Sequence, residues 1–255
     1  MAAYLYSDIF KLLTNFKQSA DRSWLETPPQ TFMQNRWHSF KKMMHILITL
    51  TLVLTILNSG KAQDRRKLIK ELDEIYVSDQ SIRKQIGQIS KEYGWESPEM
   101  KEANKEMNEL DSVNLIRVTH ILDSIGWQGK RRFGDLGSLA IFLVIQHSDL
   151  VTQEKYLPMI RGATKKGQVR KSNLALLEDR VALGQGKKQI YGSQIWRNEE
   201  TGQFYVAPIE DPDNVDKRRK KMGLRSMAEY VKRWDITWSV QEHKDTVMNL
   251  DSEND

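Results

Sequence analysis

The chain has 255 residues, no cysteine, and 39 Lys+Arg against 34 Asp+Glu. Without cysteine there is no disulfide framework, no thiolate metal site and no cysteine nucleophile. Residues 1–62 hold 7 of the bases and 3 of the acids, which leaves 32 against 31 in the remaining 193; no field of one sign covers that larger part, and a nucleic-acid partner is not expected.

At the start of the chain, Tyr4, Leu5, Ile9, Phe10, Leu12, Leu13 and Phe16 fit an amphipathic helix. Residues 46–57 are apolar apart from Thr49, Thr51 and Thr55, with Lys41 and Lys42 ahead of them and Gly60-Lys61-Ala62 behind. A positive region, an apolar core and small residues at the peptidase positions make the layout of a secretory signal, and predict cleavage after Ala62. The run falls short of the roughly 20 apolar residues of a membrane span. Signal n-regions are short, so this reading expects translation to begin near Met33 or Met43; from Met33, residues Arg36, Lys41 and Lys42 form the positive region. The expected product begins at Gln63 and is periplasmic or secreted. Two alternatives stay open: an uncleaved inner-membrane anchor with the 4–16 helix on its cytoplasmic side, and a soluble core helix. Membrane contact is expected only through this segment.

From Asp64 the pattern is helical. Leu68, Leu72, Ile75 and Tyr76 follow three-and-four spacing, which Ile82, Ile86, Ile89 and Tyr93 continue to Gly94. A second helix is predicted after Ser97-Pro98-Glu99, with serine as cap and proline in the first turn. Met100, Ala103, Met107, Leu110, Val113, Ile116 and Ile121 mark its inner face, and Gly126-Trp127 ends it near Ile125. Residues 136–145 are apolar all round, which predicts a short helix buried on every side; its last turn delivers Gln146 and His147 to the interior or to a cleft floor. Tyr156, Leu157, Met159 and Ile160 follow, then a hydrophilic turn at Lys165-Lys166-Gly167. The helix from Ser172 turns Leu174, Leu177 and Val181 inward, with Glu178 at the edge of that face and Asp179 and Arg180 pointing more outward.

After Gly184-Gln185-Gly186 the period changes. Residues 189–196 and 203–209 are predicted as two strands of a hairpin joined by the polar loop 197–202. Asp211-Pro212 then caps a helix closed by Gly223, and Ser226 opens a last helix bearing Met227, Tyr230, Val231 and Trp234. The expected architecture is mainly α: an N-terminal extension and signal over residues 1–62, a single helical domain over 63–241 with one small antiparallel hairpin near 189–209, and a disordered acidic tail from 242 to 255.

Polar residues cluster where packing alone would favour apolar ones, at Gln146-His147-Ser148-Asp149, at Glu178-Asp179-Arg180, at 189–194 and at 208–219. Buried polar groups are costly unless paired, so such clusters have a pairing or a working role. His147 titrates near neutral pH, and Glu178 or Asp149 could orient it for general acid and base work, with Arg180 or Arg218 holding an anionic group. Gln146, Asp179, Arg180, Gln189, Tyr191, Gln194, Asp211, Arg218 and Arg219 are the candidate ligand-binding residues. Ser148 and Ser193 are possible nucleophiles, but neither sits in a Gly-x-Ser-x-Gly elbow. The bland reading is that His147 is a satisfied core histidine and that the acids and arginines lock the hairpin to the helices. No metal site is assigned: His147, Asp149, Glu178 and Asp211 are hard donors, but there is no His-x-x-x-His pair and no calcium loop. Tyr191 and Trp196 could stack on a sugar or base, though strand aromatics more often pack on a helix. The basic run at 217–221 reads as a solvated helix face, with phosphate binding as the sharper alternative.

In order, Gly126-Trp127, Gln146-His147-x-Asp149, Leu174-Ala175-x-Leu177-x-Asp179-Arg180-Val181, Gln189-x-Tyr191-Gly192-Ser193-Gln194, Pro208-Ile209-Glu210-Asp211-Pro212, Val215-Asp216-x-Arg218-Arg219 and Gly223-Leu224 resemble a bacterial family, domain of unknown function 6624, over roughly residues 120–232. Gln128 stands where that pattern has the proline of a Gly-Trp-Pro turn, and Ser193 where threonine is more usual. The resemblance implies no activity. No cofactor is expected. The reading favoured by the residues is a module binding a polar ligand or protein partner outside the cytoplasm; the alternative is a hydrolase-like enzyme with His147 as general base.

Overall fold

The computed structural model describes residues 30–198 and 201–253. The helix expected over residues 4–16, and Glu199 and Glu200 of the hairpin loop, lie outside the described residues. Helix α1 (Gln30–Glu92) is followed by α2 (Pro98–Ile125), α3 (Lys130–Phe133), α4 (Asp135–His147), α5 (Leu150–Lys165) and α6 (Lys171–Gly184). Strands β1 (Ile195–Arg197) and β2 (Phe204–Val206) come next, then α7 (Val215–Lys221), α8 (Met227–Tyr230) and α9 (Val240–Glu253). The chain divides into two compact units, residues 1–61 and 62–255.

Within the first unit the apolar run is helical, and its side chains from Ile46 to Leu54 face outward. The threonines there do not leave hydroxyls unsatisfied. Thr49 Oγ1 donates to the His45 carbonyl at 2.8 Å, Thr55 Oγ1 to that of Leu52 at 2.7 Å, and Thr51 to that of Leu47, so each polar group is closed within its own helix. By length and composition, α1 is the one helix among the described residues that could cross a membrane.

The second unit is mainly α with a small antiparallel hairpin. Its main core joins Leu72 and Ile75 of α1, Val118 and Leu122 of α2, Ile141 and Ile145 of α4, Tyr156 and Ile160 of α5, and Leu177 of α6. Ser97 caps α2 by accepting from Met100 N at 3.1 Å, with Pro98 in the first turn. At the other end Gly126 N donates to the Leu122 carbonyl at 2.8 Å, and the side-chain amide of Gln128 folds back to donate to the Ile125 carbonyl. That amide closes the helix end. Gly137 is where α4 meets α1: a Cβ there would lie 2.9 Å from Leu72 Cβ, so only glycine admits this close an approach.

The hairpin pairs Ile195 with Val206, Trp196 with Tyr205 and Arg197 with Phe204. Both strands are shorter than the alternation predicts, and Gln189 and Ile209 meet only as an isolated bridge. The backbone of residues 190–193 turns aside around a buried carboxylate, so its donors go to that group rather than to a ladder. The predicted last helix is also shorter. Ser226 and Glu229 form a capping box on α8, and a 3-10 turn over Val231–Trp234 ends at Asp235 with φ 57°. From 242, where a structureless tail was expected, the structure has α9, with His243 and Val247 buried. A second small core of Val206, Ile209, Val215, Met227 and Val231 packs beneath the hairpin.

Candidate functional site

Helix α6 presents its inward stripe as expected, with Leu174, Leu177 and Val181 buried. Asp179 does not point outward: it is 0% exposed. The segment 190–193 covers a second face of the helix, which the spacing of apolar residues could not reveal. Asp179 Oδ1 accepts from Ile190 N at 2.7 Å and Tyr191 N at 2.8 Å, and Oδ2 from Ser193 N at 2.9 Å. Burial pushes this carboxyl above its ordinary range, and the three N–H donors oppose that only in part. Glu178 lies at the edge, accepting from Arg161 Nε at 2.8 Å and from the Tyr191 hydroxyl at 3.1 Å. Burial and the neighbouring Glu178 push the Tyr191 phenol up to about 12, so it stays a donor at neutral pH.

The basic run contributes to the same closure. Lys217, Lys220 and Lys221 are exposed, as a solvated face requires, but Arg219 is 1% exposed and departs from that reading. Its Nη1 donates to the carbonyls of Tyr191 at 2.7 Å and Gly192 at 3.2 Å, its Nε donates to that of Arg225 at 2.6 Å, and its plane lies over the Tyr230 ring at 4.6 Å. Arg218 Nε donates to the Ile190 carbonyl at 2.8 Å, and Arg218 Nη1 pairs with Asp211 Oδ2 at 3.1 Å. Asp211 also caps the turn that follows it, accepting from Asn214 N. Gln189 closes the inside of the loop, accepting from Gln194 N at 2.8 Å and donating to the carbonyls of Ala207 at 2.6 Å and Gln194 at 3.1 Å. The Tyr230 hydroxyl donates to the Ser193 carbonyl at 2.7 Å. Gly192, at φ 67°, makes the turn possible; a Cβ there would sit 2.8 Å from Met227 Sδ and 2.9 Å from Ile209 Cδ1. Asp179, Gln189, Gln194, Asp211, Arg218 and Arg219 are thus brought together to hold one loop, with Arg219 Nη2 left without a partner.

His147 is not part of that lock, and neither Glu178 nor Asp149 is its partner. Asp149 is the N-cap of α5, accepting from Thr152 N at 2.8 Å, and this bond holds its carboxyl below the usual range. The carboxylate on His147 is Asp79 of α1, whose Oδ1 lies 3.0 Å from His147 Nδ1. Asp79 also accepts from Gln80 Nε2 at 2.7 Å and pairs with Arg83 Nη1 at 3.0 Å, while Arg83 Nη2 forks onto Asp111 at 2.8 and 3.0 Å. Burial alone would raise the Asp79 carboxyl; the hydrogen bond and charge of His147, the Gln80 amide and the Arg83 charge outweigh it and leave it below its ordinary value. Ionised Asp79 fixes the hydrogen on Nδ1. The His147 side chain remains 16% exposed.

Four buried side-chain atoms have no partner among the described residues; two of them, Trp127 Nε1 and Arg219 Nη2, lie just after α2 and in the loop lock. Gln146 Oε1, one residue before His147, is buried without a donor, and Arg180 Nε is buried without an acceptor among the described residues. Burial depresses the basicity of Arg180, and the charge of Arg83 lowers it further. The remaining candidates have local roles. Ser148 Oγ donates to the Ile145 carbonyl at 2.7 Å, Ser193 Oγ accepts from Gln194 Nε2 at 2.9 Å, and Trp196 meets Tyr205 edge to face at 6.1 Å. The four hard donors His147, Asp149, Glu178 and Asp211 go to separate partners. Sequence reasoning passed over Asp79, Arg83 and Asp111, and placed Tyr230 on a helix without foreseeing its hydrogen bond to the loop. A signal for Asp79 was present, since it follows Ile75 by four positions and precedes Ile82 by three, which puts a carboxylate on a core stripe.

A family model described as "Family of unknown function (DUF6624)" matches residues 66–241. No curated protein and no solved structure matches the chain.

Proposed function

The chain belongs to the DUF6624 family, and we propose that it is a polar-ligand-binding module working outside the cytoplasm, with His147, Gln146 and Arg180 beside the Asp79–Arg83 network as its binding groups. The observation that carries this is the pair of buried, unpartnered polar atoms, Gln146 Oε1 and Arg180 Nε. Each is a place where the fold tolerates a cost of about 1–3 kcal/mol, which a bound molecule would offset; Arg219 Nη2 and Trp127 Nε1 are also unpartnered, but they lie in the loop lock and just after α2. A thermal-shift screen of small polar compounds on the full chain in neutral detergent tests it. Stabilising compounds should lose their effect in His147→Ala, and shifts that survive that substitution unchanged would overturn the assignment.

The location rests on the exposed apolar helix face over residues 46–54, with Lys41 and Lys42 before it. We expect a periplasmic or secreted product beginning at Gln63, with an inner-membrane anchor as the alternative. N-terminal sequencing of the protein recovered from cells separates them, and residues before Met33 still attached would defeat the secreted form. One observation favours a second reading, hydrolysis with His147 as general base: the 3.0 Å contact of Asp79 with His147 Nδ1 does for the ring what Glu178 or Asp149 was expected to do. Hydrolysis of a chromogenic ester panel, lost in both His147→Ala and Asp79→Asn, would support that reading.

A further inference from the structure

We infer that the ligand of the His147 site is an oxyanion of the phosphate class, gripped by the terminal nitrogens of Arg180. This rests on the binding-module reading and adds the charge and shape of what is bound. Arg180 makes no ion pair or hydrogen bond among the described residues, and its Nε is sealed from water while its two Nη nitrogens are not. The groups that act on it electrostatically are Arg83, a second cation, and Tyr230. No nearby carboxylate is free to answer its charge: Asp79 is committed to His147, Gln80 and Arg83, and Asp111 to the fork of Arg83. Asp179, the next residue back on the helix, has both oxygens turned into the 190–193 loop. Tyr230 offers no charge at neutral pH; it is flanked by Arg219 and Arg233, each 4.6 Å from its ring.

A largely buried guanidinium with a second guanidinium as its electrostatic neighbour is an unfavourable arrangement for the empty protein. It becomes favourable when an anion arrives. The planar fork of Arg180 matches two oxygens of a phosphate or carboxylate, and phosphate carries the larger charge to answer it. Neutral polar molecules would leave the charge of Arg180 unanswered.

The test is a titration of the full chain in neutral detergent micelles with inorganic phosphate, against chloride at matched ionic strength, followed by calorimetry and thermal shift. Saturable binding is expected for phosphate and not for chloride, weakened about tenfold or more in Arg180→Met, with Arg180→Lys retaining part of it because it keeps charge without the fork. Circular dichroism confirms that both variants fold, and either one alone suffices to read the effect. Equal phosphate affinity in wild type and Arg180→Met overturns the inference, as does a response that chloride reproduces. Phosphatidic acid in the same micelles separates sources: binding stronger than free phosphate, again lost in Arg180→Met, keeps the oxyanion class and names a lipid headgroup. If phosphate fails but neutral compounds bind and depend on His147, the oxyanion claim falls and the binding module stands. If neither class binds, both fall.

Discussion

Replacing Asp179 by alanine should unlock the loop over residues 190–193. The carboxylate takes three backbone N–H groups, from Ile190, Tyr191 and Ser193, at 2.7 to 2.9 Å, and in the variant all three lose their acceptor in a region that water does not freely enter. Each orphaned N–H costs about 1–3 kcal/mol, which sets a gross loss of roughly 3–9 kcal/mol. Removing a carboxyl that burial already holds above its ordinary pKa returns part of that, and the loop can relax toward solvent, so the net expectation is about 3–5 kcal/mol. For a domain of this size that corresponds to a fall in Tm of about 10–15 °C. Urea unfolding of the full chain in detergent, followed by tryptophan fluorescence, reads the loss directly. Asp179→Asn should be milder, because one amide oxygen still serves Ile190 and Tyr191 while the NH2 group opposes the Ser193 N–H. A loss under about 1 kcal/mol for Asp179→Ala would show that the loop is held without its carboxylate, and would refute the division between lock and site.

Other expectations follow from the same coordinates. Gly192→Ala combines a positive φ with a Cβ 2.8 Å from Met227 Sδ, and should cost about 2–4 kcal/mol in the same urea assay; an unchanged midpoint would contradict the turn. His243 accepts from Ile209 N at 3.3 Å and lies against Trp238, and burial with the charge of Lys188 lowers its pKa to about 4. A depressed histidine contributes stability that is complete above its ordinary value near 6.5 and is lost as pH falls toward 4. Thermal unfolding from pH 8 downward should therefore lose about 2 kcal/mol across that window after allowance for solvent screening, and His243→Gln should flatten the slope. Asp79 is also depressed, but as a carboxylate its contribution should persist to lower pH, fading only below the ordinary aspartate range; Asp79→Asn should remove that acid limb of the curve.

Much of the helical layout could be read from spacing and caps: Ser97 before α2, Gly126 after it, the buried run that becomes α4, and the inward Leu174, Leu177 and Val181 of α6. These are local signals, and local physics decides them. The pairing of polar groups is different, because its partners are distant in the chain. Nothing near His147 indicates Asp79, 68 positions earlier, and nothing near Asp179 indicates that residues 190–193 will bring three N–H groups to it. The predicted strands shortened for the same reason, since donors that an alternating pattern assigns to a ladder were claimed by a carboxylate. Helix α9 was missed because its sequence is polar, and only His243 and Val247 are buried among its described side chains.

Asp179 and Arg180 are neighbours on one helix with opposite assigned roles, one holding the loop and the other awaiting a ligand. Measuring unfolding free energies of Asp179→Ala and Arg180→Met side by side therefore tests the central claim most directly. Arg180→Met should be as stable as the wild type or slightly more so, because it removes an unanswered buried cation, while Asp179→Ala falls by several kcal/mol. Equal losses in the two variants would mean that Arg180 is one more strut of the fold, and the binding site proposed around it would have no support.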